Sequence, residues 1–138
     1  AEWEGGIVGS VAVNDAYRTN QSTPALAAFM AIDGYLYVVN HQKITNQKVS
    51  GPDTLHQYPR PKLVFKQKIG ASISTPIIVG NKLIAANYYG IYLFEFDAQL
   101  RFRLIAQREG KFESTPIVDD RKIFIASRDG YFYCFGEK

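Results

Sequence analysis

Two histidines, His41 and His56, one cysteine, Cys134, and a scatter of Asp, Ser and Thr residues are the side chains here that could carry chemistry. A zinc site needs several His, Cys or carboxylate ligands at short regular spacing. His41 and His56 stand 15 residues apart with no Cys or further His beside them, so neither reads as a ligand; His41 is expected to end a strand and His56 to lie in a loop. Cys134 is alone, so it forms no internal disulfide and no metal cluster. The tripeptide Ser-Thr-Pro occurs at Ser22–Pro24, Ser74–Pro76 and Ser114–Pro116 and invites a nucleophile reading. No Gly-x-Ser-x-Gly context accompanies it, and its recurrence argues for a structural role. Asp119, Asp120 and Asp129 sit where hairpin turns are expected, and there Asp bonds its own backbone. Gly5, Gly6 and Gly9 do not form the Gly-x-Gly-x-x-Gly spacing of a phosphate cradle. No catalytic, cofactor-binding or metal-ligating residue is assigned.

The elements that would position any site come from a repeat. Ser74–Phe94 aligns without gaps on Ser114–Cys134, an offset of 40 residues. Ser-Thr-Pro, a turn pair, Lys, an apolar run, Gly and an aromatic run recur in register. A looser copy precedes them: Asp33–Gln42 matches Gly90–Gln99, and Gly9–Asp15 matches Ser114–Asp120. Ser22-Thr23-Pro24 could open that copy instead, but the longer aromatic match favours Gly9–Asp15.

Each unit reads as four short strands. The first follows Ser-Thr-Pro, with Pro76 and Pro116 at strand starts where a missing N–H is harmless. After the turns Gly80-Asn81 or Asp119-Asp120 come Leu83–Asn87 or Ile123–Ser127. After Tyr89-Gly90 or Asp129-Gly130 come Ile91–Phe96 or Tyr131–Phe135, the Gly supplying the positive φ of a tight hairpin. Outer strands are expected at Lys62–Lys68 and Leu100–Arg108, where Lys and Arg alternate with apolar residues as on a protected sheet edge.

A tandem four-stranded antiparallel unit of this length is a propeller blade. The fold class is therefore all-β, a partial β-propeller of about three blades: residues 5–69 with two loop insertions, 70–109, and 110–138 without an outer strand. Tyr35, Tyr37, Tyr92, Phe94, Phe96, Tyr131, Phe132, Tyr133 and Phe135 are expected to pack between blades. Closed propellers have about four to eight blades. The ring is expected to be completed by further blades of the same parent chain or by a homodimer.

Composition agrees. Hydrophobic residues are 46% of the 138, aromatics 14%, and the net charge is +3. Such a chain is not disordered. Its cations do not cluster in the sequence, which makes nucleic acid an unexpected partner. No apolar run approaches the ~20 residues of a membrane span, and no leader is visible at the start.

The segment Ser114–Phe135, like Ser74–Asp97, resembles the pyrroloquinoline-quinone-like (PQQ-like) propeller repeat. That family holds quinone-dependent alcohol dehydrogenases and many non-catalytic bacterial proteins, among them the lipoprotein that assists outer-membrane barrel assembly. The resemblance implies a bacterial protein in the periplasm or outside the cell. The enzymes' repeats continue as Asp-Ala-x-Thr-Gly-x-x-x-Trp. Here Asp97-Ala98 is kept, while Gly and Trp are absent from Gln99–Leu104, and Asn40–Gln42 lacks them too. No PQQ or other cofactor is expected. A binding or scaffold module is the leading expectation. Part of a quinone dehydrogenase, or a recognition domain on an upstream catalytic domain, is the alternative.

The first unit carries two insertions, about residues 16–23 and 43–61. In an antiparallel meander both emerge at one end of the blade. Together they offer Tyr17, Arg18, Asn20, His56, Tyr58 and Arg60, and Tyr and Arg are types enriched at binding hot spots. A protein or carbohydrate partner is expected there.

Overall fold

A computed structural model describes residues 6–14, 24–51 and 53–136. The described residues form eleven strands and no helix, arranged in three antiparallel sheets. The first sheet runs β1 (Ala12–Val13), β2 (Leu26–Met30), β3 (Tyr35–Ser50) and β4 (Gln57–Lys68). The second runs β5 (Ile77–Val79), β6 (Lys82–Ala86), β7 (Gly90–Phe96) and β8 (Phe102–Glu109). The third runs β9 (Ile117–Asp119), β10 (Lys122–Ala126) and β11 (Phe132–Gly136). Sequence neighbours pair throughout, as β-branched and aromatic runs separated by short turns dictate.

The register exposes one residue that ungapped alignment hides. Ala86 faces Ile91 across the second sheet's middle hairpin, whereas Ala126 faces Phe132 across the third's. The third hairpin is therefore one residue longer, and the offset becomes 41 beyond it: Tyr133, not Phe132, stands where Tyr92 stands. The cause is turn chemistry. In the first and third sheets an Asp-Gly-Tyr turn is closed by the Asp: Asp33 Oδ1 accepts from Tyr35 N (3.0 Å) and Asp129 Oδ1 from Tyr131 N (2.9 Å). The second sheet uses Asn87, whose Oδ1 accepts from Tyr89 N (2.8 Å) and Gly90 N (2.9 Å), and closes a tighter loop. Between β9 and β10 the 40-residue offset holds, Asp119 pairing with Lys122 as Val79 does with Lys82. The two-residue loop there is Asp120-Arg121, both at positive φ (48° and 61°), one residue beyond the expected turn.

Equivalent faces stack in one direction. Ala28, Met30, Leu36 and Val38 of the first sheet pack on Leu83, Ala85, Tyr92 and Phe94 of the second. The reverse face of the second sheet, with Ile84, Ala86 and Ile91, packs on Ile123, Ile125, Tyr133 and Phe135 of the third, with Phe112 between them. Just before the first strand of each sheet runs a ladder of repeated hydroxyl residues. Ser10 N donates to Thr75 Oγ1 (2.8 Å), and Thr75 N donates to Thr115 Oγ1 (3.3 Å). The ladder gives Thr75 and Thr115 a structural role, and Ser10 joins it from the first sheet. A Cβ on Gly9 would lie 2.6 Å from Ser74 O, so the backbones meet there as only Gly permits.

Of the nine aromatics expected between blades, Tyr37, Tyr92, Phe94 and Phe96 are buried, and Tyr35, Tyr133 and Phe135 are partly so. Tyr131 and Phe132 are 69% exposed. This differs from expectation because no sheet among the described residues covers the outer face of the third.

Candidate functional site

The long loop expected over residues 43–61 is instead a β-ribbon. β3 continues through His41 to Ser50 and pairs with β4, Ile44 opposite Pro61, Lys48 opposite Pro59 and Val49 opposite Tyr58. His41 therefore lies within a strand rather than at its end. The corresponding hairpin of the second sheet turns back at once through Asp97–Arg101, closed by Asp97 accepting from Gln99 N and Arg101 N (3.0 Å each). The first sheet's hairpin thus extends about ten residues beyond its neighbour's, on the order of 30 Å at ~3.3 Å per residue. Alternation of polar with apolar or β-branched residues (Lys43-Ile44-Thr45, Lys48-Val49-Ser50) was the strand signal in this stretch.

The ribbon's tip is closed by Asp53. Its Oδ1 accepts from Leu55 N and His56 N (3.1 Å each), and its Oδ2 meets His56 Nδ1. The His56 hydrogen bond, foremost among these contacts, holds the Asp53 carboxyl below the usual carboxylate range. A His–Asp pair invites a catalytic reading. Its side chains are 69% and 42% exposed, in water rather than in a dry cleft, and no nucleophile's hydrogen bond to the ring is present among the described residues. The pair closes a turn.

His56, Tyr58 and Arg60 are brought together on this arm. Tyr58 is half exposed, its ring lying over Gly51, where a Cβ would collide with it. Arg60 Nη1 donates to Gln47 Oε1 (3.1 Å) across the ribbon. Tyr17, Arg18 and Asn20 lie outside the described residues. The composition-based choice of Tyr and Arg passed over Ile44 (64% exposed) and Leu55 (83%), the most exposed large apolar side chains of the arm.

Elsewhere the acids are structural. Asp33 Oδ2 accepts from Tyr37 Oη (2.9 Å), and Asp129 Oδ2 from Tyr133 Oη (2.5 Å), the same pin in two repeats. Asp129 is lowered chiefly by that hydroxyl, and Tyr133 is raised by it. Glu95 is lowered by Lys82 (3.1 Å), with Arg103 adding to it. Among the described residues no group of His, Cys, Asp and Glu side chains is arranged to hold a metal ion. A shallow open depression lined by Gly110, Lys111, Ser127, Arg128 and Asp129 is tied internally, Ser127 Oγ donating to Lys111 O (3.1 Å).

One phenol provides a check on the first sheet's packing. Burial, then the Asp33 hydrogen bond, pushes Tyr37 up to about 12 from 10.0. The protonated form is the one folding favours. Its stabilisation is complete below pH ~10 and is lost as pH rises through the folded value near 12. Absorbance titration of phenolate is expected to show a tyrosine titrating near pH 12 in the wild type that is missing from Tyr37→Phe. Identical curves would contradict the burial of this hydroxyl.

No family model and no curated protein matches the sequence.

Proposed function

We propose that the three sheets are successive blades of a propeller-type stack and that the chain is a non-catalytic binding or scaffold module of the bacterial envelope. One observation carries this reading. The same register positions bury each sheet on the next, and the third sheet repeats them outward. Ile84, Ala86, Ile91 and Leu93 meet the third sheet; their equivalents Phe124, Ala126, Phe132 and Cys134 form its outer face. A soluble monomer rarely leaves so continuous an apolar surface uncovered. The arm of β3 and β4, with Tyr58 and Arg60, is the surface that would meet a protein or carbohydrate partner.

The absence of the Gly-x-x-x-Trp continuation weighs against quinone chemistry, as does the structural use of every acid described above. Titration with pyrroloquinoline quinone in the presence of calcium, followed by fluorescence, is expected to give no saturable change. A saturable one-to-one isotherm would overturn the non-catalytic reading in favour of the dehydrogenase.

A further inference from the structure

Contrary to the expectation of unclustered cations, the β3–β4 hairpin concentrates positive charge. Residues 41–68 carry Lys43, Lys48, Arg60, Lys62, Lys66 and Lys68 against one carboxylate, Asp53, a net +5. The whole chain is +3, so the other residues sum to −2. The +5 is thus a property of one hairpin, not of the surface in general. Lys66 lies over the Tyr35 ring at 4.3 Å and Lys68 over the same ring at 5.6 Å, which fixes both on the face of the first sheet. The described ion pairs involve Lys82, Arg101, Arg103, Arg128 and His56, and none involves Lys43, Lys48 or Lys62. Lys43, Lys48 and Lys62 therefore present their charge to an anionic partner.

The same arm exposes Ile44, Leu55 and Tyr58, with Leu55 at its end. Its backbone edges are unsuited to strand addition. Pro59 and Pro61 remove N–H donors from β4, and the register of β3 is broken between Asn40 and Ile44 and again between Ile44 and Lys48. Recognition therefore runs through side chains. A nucleic-acid backbone would engage the cations and leave the apolar side chains in water. An acidic polypeptide would look for an edge to pair with and find it blocked. A lipid surface with anionic headgroups uses both sets: Tyr58, Arg60 and Lys62 alternate onto one face of β4, and Leu55 stands at the ribbon's end.

We infer that the β3–β4 arm docks on an anionic lipid surface. The inference rests on the arm's being the contact element of the proposed binding module, and it assigns that element its partner. The probes are vesicles of phosphatidylcholine alone and of equal parts phosphatidylcholine and phosphatidylglycerol, with the full chain. Sedimentation is expected to show binding to the second only, weakened by salt. Lys43→Gln, Lys48→Gln and Lys62→Gln are each expected to weaken it about fivefold, and Leu55→Ser about tenfold. Lys122→Gln, on the third sheet, should bind as the wild type does. All five substituted residues are exposed, so melting temperatures serve as the folding control. Equal binding to both vesicles, no binding to either, variants indistinguishable from wild type, or capture by a short DNA duplex or polyglutamate in preference to the anionic vesicles would each overturn the proposal. Any of these outcomes leaves the sheet stack intact, because the stack is read separately through the native mass.

Discussion

Phe112→Ala is expected to destabilise the fold by about 3–5 kcal/mol, the usual cost of emptying a fully buried aromatic site. Phe112 lies outside every named strand yet is 1% exposed. Its ring sits edge-on to Tyr133 (6.1 Å) and Phe135 (6.4 Å) and joins Ile84, Ala86, Ile91 and Ile125 in the core between the second and third sheets. Gly110 makes room for it, since a Cβ there would approach the ring to 2.6 Å. Its amide donates to Asn87 O (2.8 Å), which fixes the linker against the second sheet. With no sheet among the described residues on its far side, the third sheet depends on this one interface. The loss should appear as a melting temperature lower by roughly 10–20 °C. Thermal unfolding followed by far-UV circular dichroism measures it; a shift of only a few degrees would mean that Phe112 is not the plug between these sheets.

Asn87→Ala is expected to cost about 3 kcal/mol, since a buried group stripped of its partner loses ~1–3 kcal/mol. Asn87 is 0% exposed. Its Nδ2 donates to Ile69 O (2.6 Å), while Oδ1 accepts from Tyr89 N and Gly90 N. One side chain thereby closes the second sheet's hairpin and ties down the linker from the first. Ala leaves all three backbone groups without that partner. Asp keeps the acceptor but sets a carboxylate against the Ile69 carbonyl, so it should be no better. Ser127 occupies the same place in the third repeat, and its hydroxyl bonds Lys111 O (3.1 Å) in a more exposed setting. Ser127→Ala should therefore be much milder. Chemical denaturation of the three variants tests the order; Asn87→Ala no worse than Ser127→Ala would contradict the role given to Asn87.

Much of the architecture was legible in the residues. The Ser-Thr-Pro recurrence, the turn glycines and the runs around Leu83, Ile123 and Tyr92 gave the strands and their order, because strand periodicity and turn chemistry are local properties. The extra residue in the third hairpin was not legible. Gly90 and Gly130 align in sequence, but an Asn-closed turn and an Asp-closed turn of different length precede the following strand, and only pairing reveals it. Phe112 was missed because it has no strand neighbours to give it a period. The arm reads as a loop in the sequence because Gly, Pro, Asn and Gln punctuate residues 46–59, and those types mask a strand whose support is cross-strand pairing. Of the candidate site, Tyr58, Arg60 and His56 were found by residue type. Leu55 and the uncompensated lysines gain their meaning only from the three-dimensional projection of the ribbon.

Native mass by light scattering, over a range of chain concentrations, tests most directly the claim that the third sheet carries an uncovered stacking face. Ile117 (64% exposed) and Phe132 (69% exposed) on that face should drive association. The mass is expected to rise above that of one chain with concentration and to fall back to one chain in the double variant Ile117→Asp, Phe132→Asp, with no loss of secondary structure. A single-chain mass at every concentration, unchanged by the double variant, would contradict the account.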